Sequence, residues 1–139
     1  MRQDNRIVEA MIIAFLMALV LLWAHNAWSA EIVPDDIAIR AIIGEASGEG
    51  LKGMQAVGEV IRRRGSLKGV YGFKAPHVDK EPEWVWKMAR KAWKDSEFSN
   101  LSNGATHFES TDFKNAYWME DMECVAHIGK HRFYLTKFK

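Results

Sequence analysis

The sequence predicts an α+β domain, mainly helical, with a small antiparallel sheet near the C-terminus. Apolar residues recur at helical spacing in three stretches between residues 34 and 93, each bounded by proline, glycine or charged residues. The last third instead carries short apolar and aromatic segments, two of them separated only by Gly129-Lys130. With 139 residues in all and an apolar N-terminal stretch set aside, about 110 residues remain, enough for one modest core.

At the N-terminus, Arg2 and Arg6 precede an uninterrupted apolar run over residues 10–24, which ends at His25-Asn26 before Ala27-Trp28-Ser29-Ala30. Basic, apolar and small-residue regions in that order make residues 1–29 a signal peptide or an N-terminal membrane anchor, with the working domain over residues 30–139. The run is shorter than the roughly 20 residues of a full span, although Ile7 and Val8 extend it past Glu9. Ala27 and Ser29 favour cleavage after Ser29, and an uncleaved anchor through residues 7–24 is the alternative. Both place the domain outside the membrane, in the periplasm, the cell envelope or the medium.

Pro34-Asp35-Asp36 starts the first helix, because proline suits the first turn and carboxylates suit its unpaired N–H groups. Ala38, Ile39, Ile42 and Ile43 give it an apolar face up to Glu45 or Ala46. Gly48, Gly50 and Gly53 interrupt regular structure before a second helix striped by Met54, Val57, Val60 and Ile61. Arg62-Arg63-Arg64 and Gly65 close it, which dipole complementarity and a left-handed cap explain without a binding role. Residues 66–81 have no sustained period and read as an irregular loop. A third helix starts near Pro82 with the stripe Val85, Met88, Ala89, Ala92 and Trp93. Trp84 and Trp86 lie off that face, either packed under a loop or available to stack on sugar rings. After a polar loop, residues 105–109, 122–128 and 131–136 read as strands, the last two as a hairpin. No internal repeat is visible.

Charge and composition narrow the function classes. Nineteen basic and eighteen acidic side chains nearly cancel, so no global field draws the chain to nucleic acid. Cys124 is the single cysteine, which excludes an internal disulfide; packing in the core is the expected role of a small free thiol. Nothing implies a nucleotide or another cofactor. Contact with a membrane is expected only through the N-terminal segment, and a monomer is expected.

Glu45 is the residue best placed for chemistry. It follows an apolar helical face and stands between Gly44 and Ala46, which permit close approach. Loss of solvation at the edge of a core raises a carboxyl's pKa toward the range of a general acid. A second cluster combines Thr106, His107, Phe108 and Glu109 with Tyr117-Trp118 and His131-Arg132-Phe133-Tyr134. Carbohydrate sites use such mixtures, although aromatic pairs in strands also build cores. His107, His127 and His131 with Glu109 allow a zinc reading, against which Gly129 breaks the helical spacing that four-residue histidine pairs need.

The chain from residue 38 to 134 resembles the SleB-type cell wall hydrolase family. The resemblance rests on ordered elements: Gly44-Glu45-Ala46; the helix carrying Gly53-Met54-Gln55-Ala56-Val57; Arg64-Gly65 with Leu67-Lys68-Gly69-Val70-Tyr71-Gly72; Ala105-Thr106-His107-Phe108; Tyr117-Trp118; and Ile128-Gly129 with His131 and Phe133-Tyr134. Arg62-Arg63-Arg64 stands where the family usually has an Asn-Arg pairing. The resemblance implies a compact, lysozyme-related α+β fold and a muramidase or lytic transglycosylase whose catalytic glutamate matches Glu45. Its partner is then the glycan strand of peptidoglycan, with Thr106, His107, Tyr117, Trp118 and Tyr134 as expected substrate-binding residues. Glu49 or Glu109 is the candidate second acid if water attacks; attack by the muramic acid 6-hydroxyl needs none. The rival readings are a zinc-dependent N-acetylmuramoyl amidase using His107, His127 and His131, and a wall-binding module without catalysis.

Overall fold

The computed structural model describes residue 8 and residues 11–20, 33–113 and 117–137. The chain divides into two units, Met1–Glu31 and Ile32–Lys139. In the first, residues 11–20 are helical and exposed, and among the described residues no helix is long and apolar enough to cross a membrane. The expected cleavage point after Ser29 lies outside the described residues.

The elements of the second unit are numbered from its own start. Helix α1 (Asp35–Ala46) begins after an extended Pro34 and buries Ala38, Ala41, Ile42, Ile43 and Ala46, as the apolar spacing requires. Asp35 does more than complement the dipole, since its Oδ1 accepts the Trp93 indole N–H at 2.7 Å. A single 3₁₀ turn, Ser47–Glu49, leads into α2 (Gly50–Arg64). This corrects the expected start of α2: Gly53 lies inside the helix, where a Cβ would collide with the side chain of Glu49. Gly65 ends α2 in the left-handed region at φ 59°, its N–H bonded to the carbonyls of Ile61 and Arg62.

Helix α3 (Glu83–Asp95) presents Val85, Ala89, Ala92 and Trp93 to the core, and the three helices pack on one another. Trp86 is half-buried against the core with the Arg40 guanidinium 5.9 Å from its ring centre, whereas Trp84 is exposed. Between α2 and α3 the irregular loop contains two 3₁₀ turns, Gly72–Lys74 and Val78–Lys80. Val70 and Val78 bury into the core, and Arg40 reaches Asp79 at 2.6 Å.

Strands β1 (His107–Ser110), β2 (Met122–Ile128) and β3 (His131–Thr136) form one antiparallel sheet in the order β1-β3-β2. The hairpin expected around Gly129-Lys130 is present, with Gly129 at φ 56°. The first strand starts later than the sequence suggested, although the Thr106 N–H still bonds to the Tyr134 carbonyl at 2.9 Å. Pairing of Phe108 with Phe133 and of Ser110 with His131 puts these four on one face of the sheet. His107 with Tyr134, and Glu109 with Arg132, occupy the other. Cys124 is exposed, not packed in the core. It lies where the register shifts between Cys124 and Ala126, at the sheet's outer strand.

Candidate active site

Glu45 is half-buried in the last turn of α1, behind the buried Ile42, Ile43 and Ala46. Its Oε1 accepts two backbone N–H groups from the loop, Gly72 at 2.7 Å and Tyr71 at 3.2 Å. That grip depends on two glycines. A Cβ on Gly44 would overlap the Gly72 carbonyl, and a Cβ on Gly72 would come within 2.8 Å of the Glu45 backbone N and Cγ. Loop and helix therefore meet backbone to backbone, and the carboxylate is oriented by main-chain donors instead of a neighbouring side chain. For Oε2 no hydrogen-bond partner is present among the described residues.

Glu49 is engaged differently. Its Oε2 accepts the Lys130 N–H at 2.6 Å, and Gly129 leaves the space its carboxylate occupies. The residue thus ties the start of α2 to the tip of the β2–β3 hairpin. Glu109 sits in β1 with Oε1 on the Ser110 N–H at 3.0 Å. His131 is only 7% exposed, and its Nδ1 has no hydrogen-bond partner among the described residues. Burial pushes the His131 pKa down; the charges of Glu49, Glu45 and Glu109 oppose that shift without reversing it. A largely neutral imidazole therefore stands among three carboxylates. The sequence marked His131 through the C-terminal aromatic and polar cluster, the family resemblance and the zinc reading; its position two residues before the buried Phe133, on the same strand face, is the signal that places it inside.

The aromatic residues build an adjoining wall. Trp118 packs between His107, at 5.5 Å between ring centres, and Tyr134, edge-on at 5.4 Å. His107, Phe108, Glu109, Tyr117 and Trp118 line a cavity of about 430 Å³ together with Arg64, Lys68, Gly69 and Val70. Burial and the Arg64 charge both push the His107 pKa down. Tyr117 is highly exposed at this wall. Thr106 and Tyr134 are absent from the lining: Thr106 Oγ1 lies 3.0 Å from His107 Nδ1, and Tyr134 is buried behind Trp118. Each instead touches a lining residue, Thr106 against His107 and Tyr134 against Trp118.

The structure does not gather the histidines of the zinc reading. His127 is opposite Arg132 in the ladder and exposed, while its neighbour Ile128 pairs with the buried His131, so the two histidines face opposite sides of the sheet. Among the described residues no three His, Cys, Asp or Glu side chains are placed to hold a metal ion.

No protein-family model matches the sequence, and no curated protein matches it. Solved structures do. The catalytic domain of the Bacillus cereus SleB protein aligns with a TM-score of 0.54 and 25% identity, over 73% of this chain and 90% of that one. The catalytic domain of the germination-specific lytic transglycosylase SleB from Bacillus anthracis aligns with a TM-score of 0.53 and 24% identity, over 74% and 96%. The chain has the α+β, lysozyme-like fold of a SleB-type catalytic domain.

Proposed function

We propose that this chain is an exported enzyme that cleaves the glycan strands of peptidoglycan, with Glu45 as its general acid and base. The observation that carries the reading is the Glu45 carboxyl, held by the Tyr71 and Gly72 N–H groups, the residues that follow Gly69 and Val70 of an aromatic cavity's wall. The likeness to SleB catalytic domains supports the same reaction class. The basic and apolar N-terminal segment supports export.

In the first half of the reaction, Oε2 of protonated Glu45 gives its proton to the glycosidic oxygen between N-acetylmuramic acid and N-acetylglucosamine. The bond to the muramic acid C1 breaks as positive charge develops there. The negative charge arriving on Glu45 is met by the two main-chain N–H groups already on Oε1, so that the arrangement favours the transition state over the resting acid. In the second half the carboxylate takes the proton from the muramic acid 6-hydroxyl as that oxygen bonds to C1. The product is a 1,6-anhydro sugar. Commitment of Glu49 to the hairpin turn supports this route over hydrolysis, which requires a second carboxylate to position water.

The test is mass spectrometry of fragments released from purified sacculi by the full chain and by Glu45→Gln. Anhydro-muropeptides are expected from the unmodified protein, and a rate lower by about 10²- to 10⁴-fold from the variant. Reducing-end sugars would move the mechanism to water and to Glu109. Sacculus binding without glycan cleavage would leave a wall-binding module.

A further inference from the structure

The three arginines closing α2 have separate fates. Arg62 lies over the Trp93 ring at 3.6 Å and donates to Ser96 Oγ and the Trp93 carbonyl, which locks α2 to the end of α3. Arg63 donates to the Ala105 carbonyl, Ser102 Oγ and Asn100 Oδ1, which holds the approach to β1. Arg64 turns into the cavity beside His107 and Trp118.

Among the described residues the Arg64 guanidinium has one hydrogen bond, from Nη2 to the Lys68 carbonyl, and no carboxylate within ion-pair distance. Burial lowers the Arg64 pKa and no anionic neighbour offsets it. A half-buried guanidinium with donors left over is an unfavourable arrangement in the resting protein that an arriving anion relieves. Lys68, an exposed residue, stands on the same wall. Two cations therefore face one carboxylate, that of Glu109, whose Oε1 is already on the Ser110 N–H.

This cavity adjoins Glu45. Gly69 and Val70 line it, and the next two residues, Tyr71 and Gly72, hold the Glu45 carboxylate. Residues so close in the chain are within about 4–11 Å of one another, the length of one or two sugar rings. The cavity's size, about 430 Å³, falls in the range of sites for small ligands. Its Trp118 and Tyr117 suit the C–H face of a sugar, which directs that sugar's acidic substituent toward Arg64 and Lys68.

We propose that this cavity is a subsite for a carboxylate carried by the glycan strand, gripped by Arg64 and Lys68 while the sugar bearing it rests on Trp118. The inference rests on the peptidoglycan reading above and deepens it. Two sources offer the same chemistry: the free lactyl carboxylate of muramic acid in strands without peptide, and the acidic residues of the stem peptide where the lactyl group is amide-bound.

The experiment measures Kd for purified strands with the full chain carrying Glu45→Gln, and kcat and KM with the otherwise unmodified chain. Three strand preparations are used: peptide-free, peptide-bearing, and peptide-free with every lactyl carboxylate converted to a methylamide. Lys68→Met, whose side chain makes no hydrogen bond among the described residues, and Arg64→Met are each expected to raise Kd and KM about tenfold, with kcat within about twofold. Arg64→Lys keeps the charge and recovers part of the loss, which separates binding from bracing of the Lys68 carbonyl; thermal melting confirms that each variant is folded. A tenfold gain from lactyl carboxylates over methylamides, abolished in the variants, assigns the lactyl group. An effect confined to peptide-bearing strands assigns the stem peptide. Equal Kd for all three preparations, or unchanged Kd in folded Arg64→Met and Lys68→Met, overturns the subsite. Absence of cleavage with this Kd pattern intact would remove the enzymatic reading and leave the subsite standing.

Discussion

At Gly44 and Gly72 a single added methyl group has no room. Neither has a positive φ, so neither is required by backbone conformation; both are required by space, because each lies against the other's main chain. Gly72→Ala is therefore expected to push the loop off α1, costing about 1–3 kcal/mol of stability and lowering kcat further than that loss alone predicts. Denaturant unfolding and sacculus turnover, measured side by side, check this; equal activity in a folded variant would show that the main-chain grip on Glu45 is dispensable. At this scale the sequence was legible in part. Gly44-Glu45-Ala46 pointed to Glu45 as a candidate, since an acid after an apolar helical face is a local pattern, and its role as the acid belongs to the proposal. The donors to that acid, Tyr71 and Gly72, were not legible as such, because a main-chain N–H leaves no mark in the residue alphabet. The burial of Tyr134 was not legible for a related reason: alternation along a strand separates two faces but does not say which face another segment, here Trp118, will cover.

Among the elements, α2 carries the least expected device. Glu59 is 2% exposed and accepts hydrogen bonds from Ser99 Oγ, the Leu101 N–H, and both the N–H and Oγ of Ser102. Burial pushes its pKa up, but these four bonds outweigh burial and hold it below the usual carboxylate range. The carboxylate thus replaces a helix or strand in ordering residues 99–102, the link from α3 to β1. Glu59→Gln keeps the shape, but its NH₂ faces a donor. The expected loss is about 2–3 kcal/mol, read as a lower denaturant midpoint with unchanged slope. From the sequence alone Glu59 fell at a position between Val57 and Val60 with nothing to separate it from a solvated charge; its partners lie some forty residues ahead. The helices and the hairpin were legible because their signals are local: Pro34 and Pro82 at the starts, Gly65 at an end, Gly129 in the turn. Gly53 was misread because a glycine inside a helix carries no sign of which side chain, here Glu49, crosses it.

For the molecule as a whole, acid should be more damaging than its near-neutral charge suggests. His107 and His131 both have pKa values lowered in the fold. The unfolded chain then binds more protons than the folded one as pH falls below about 6.5, so stability present above that value declines until both histidines are protonated in the fold too. Glu59 works in the same direction lower down: its contribution is complete above about pH 4.3 and is lost as pH falls through its depressed folded value. The melting temperature is expected to fall in two steps on acidification. In His131→Gln the upper step should shrink; an unchanged upper step would show that His131 is not a source of it. The fold class was legible because the helical period and the hairpin sit in different thirds of the chain. The packing of the sheet against the helices was not, since it depends on long-range matches such as Glu49 with Lys130.

One stretch of backbone, residues 69–72, is both a wall of the cavity and the holder of Glu45. In the proposed enzyme, recognition and chemistry consequently share one structural part. A change that shifts this main chain is then expected to alter holding and turnover together, whereas loss of the Lys68 side chain, which leaves the main chain in place, alters holding alone.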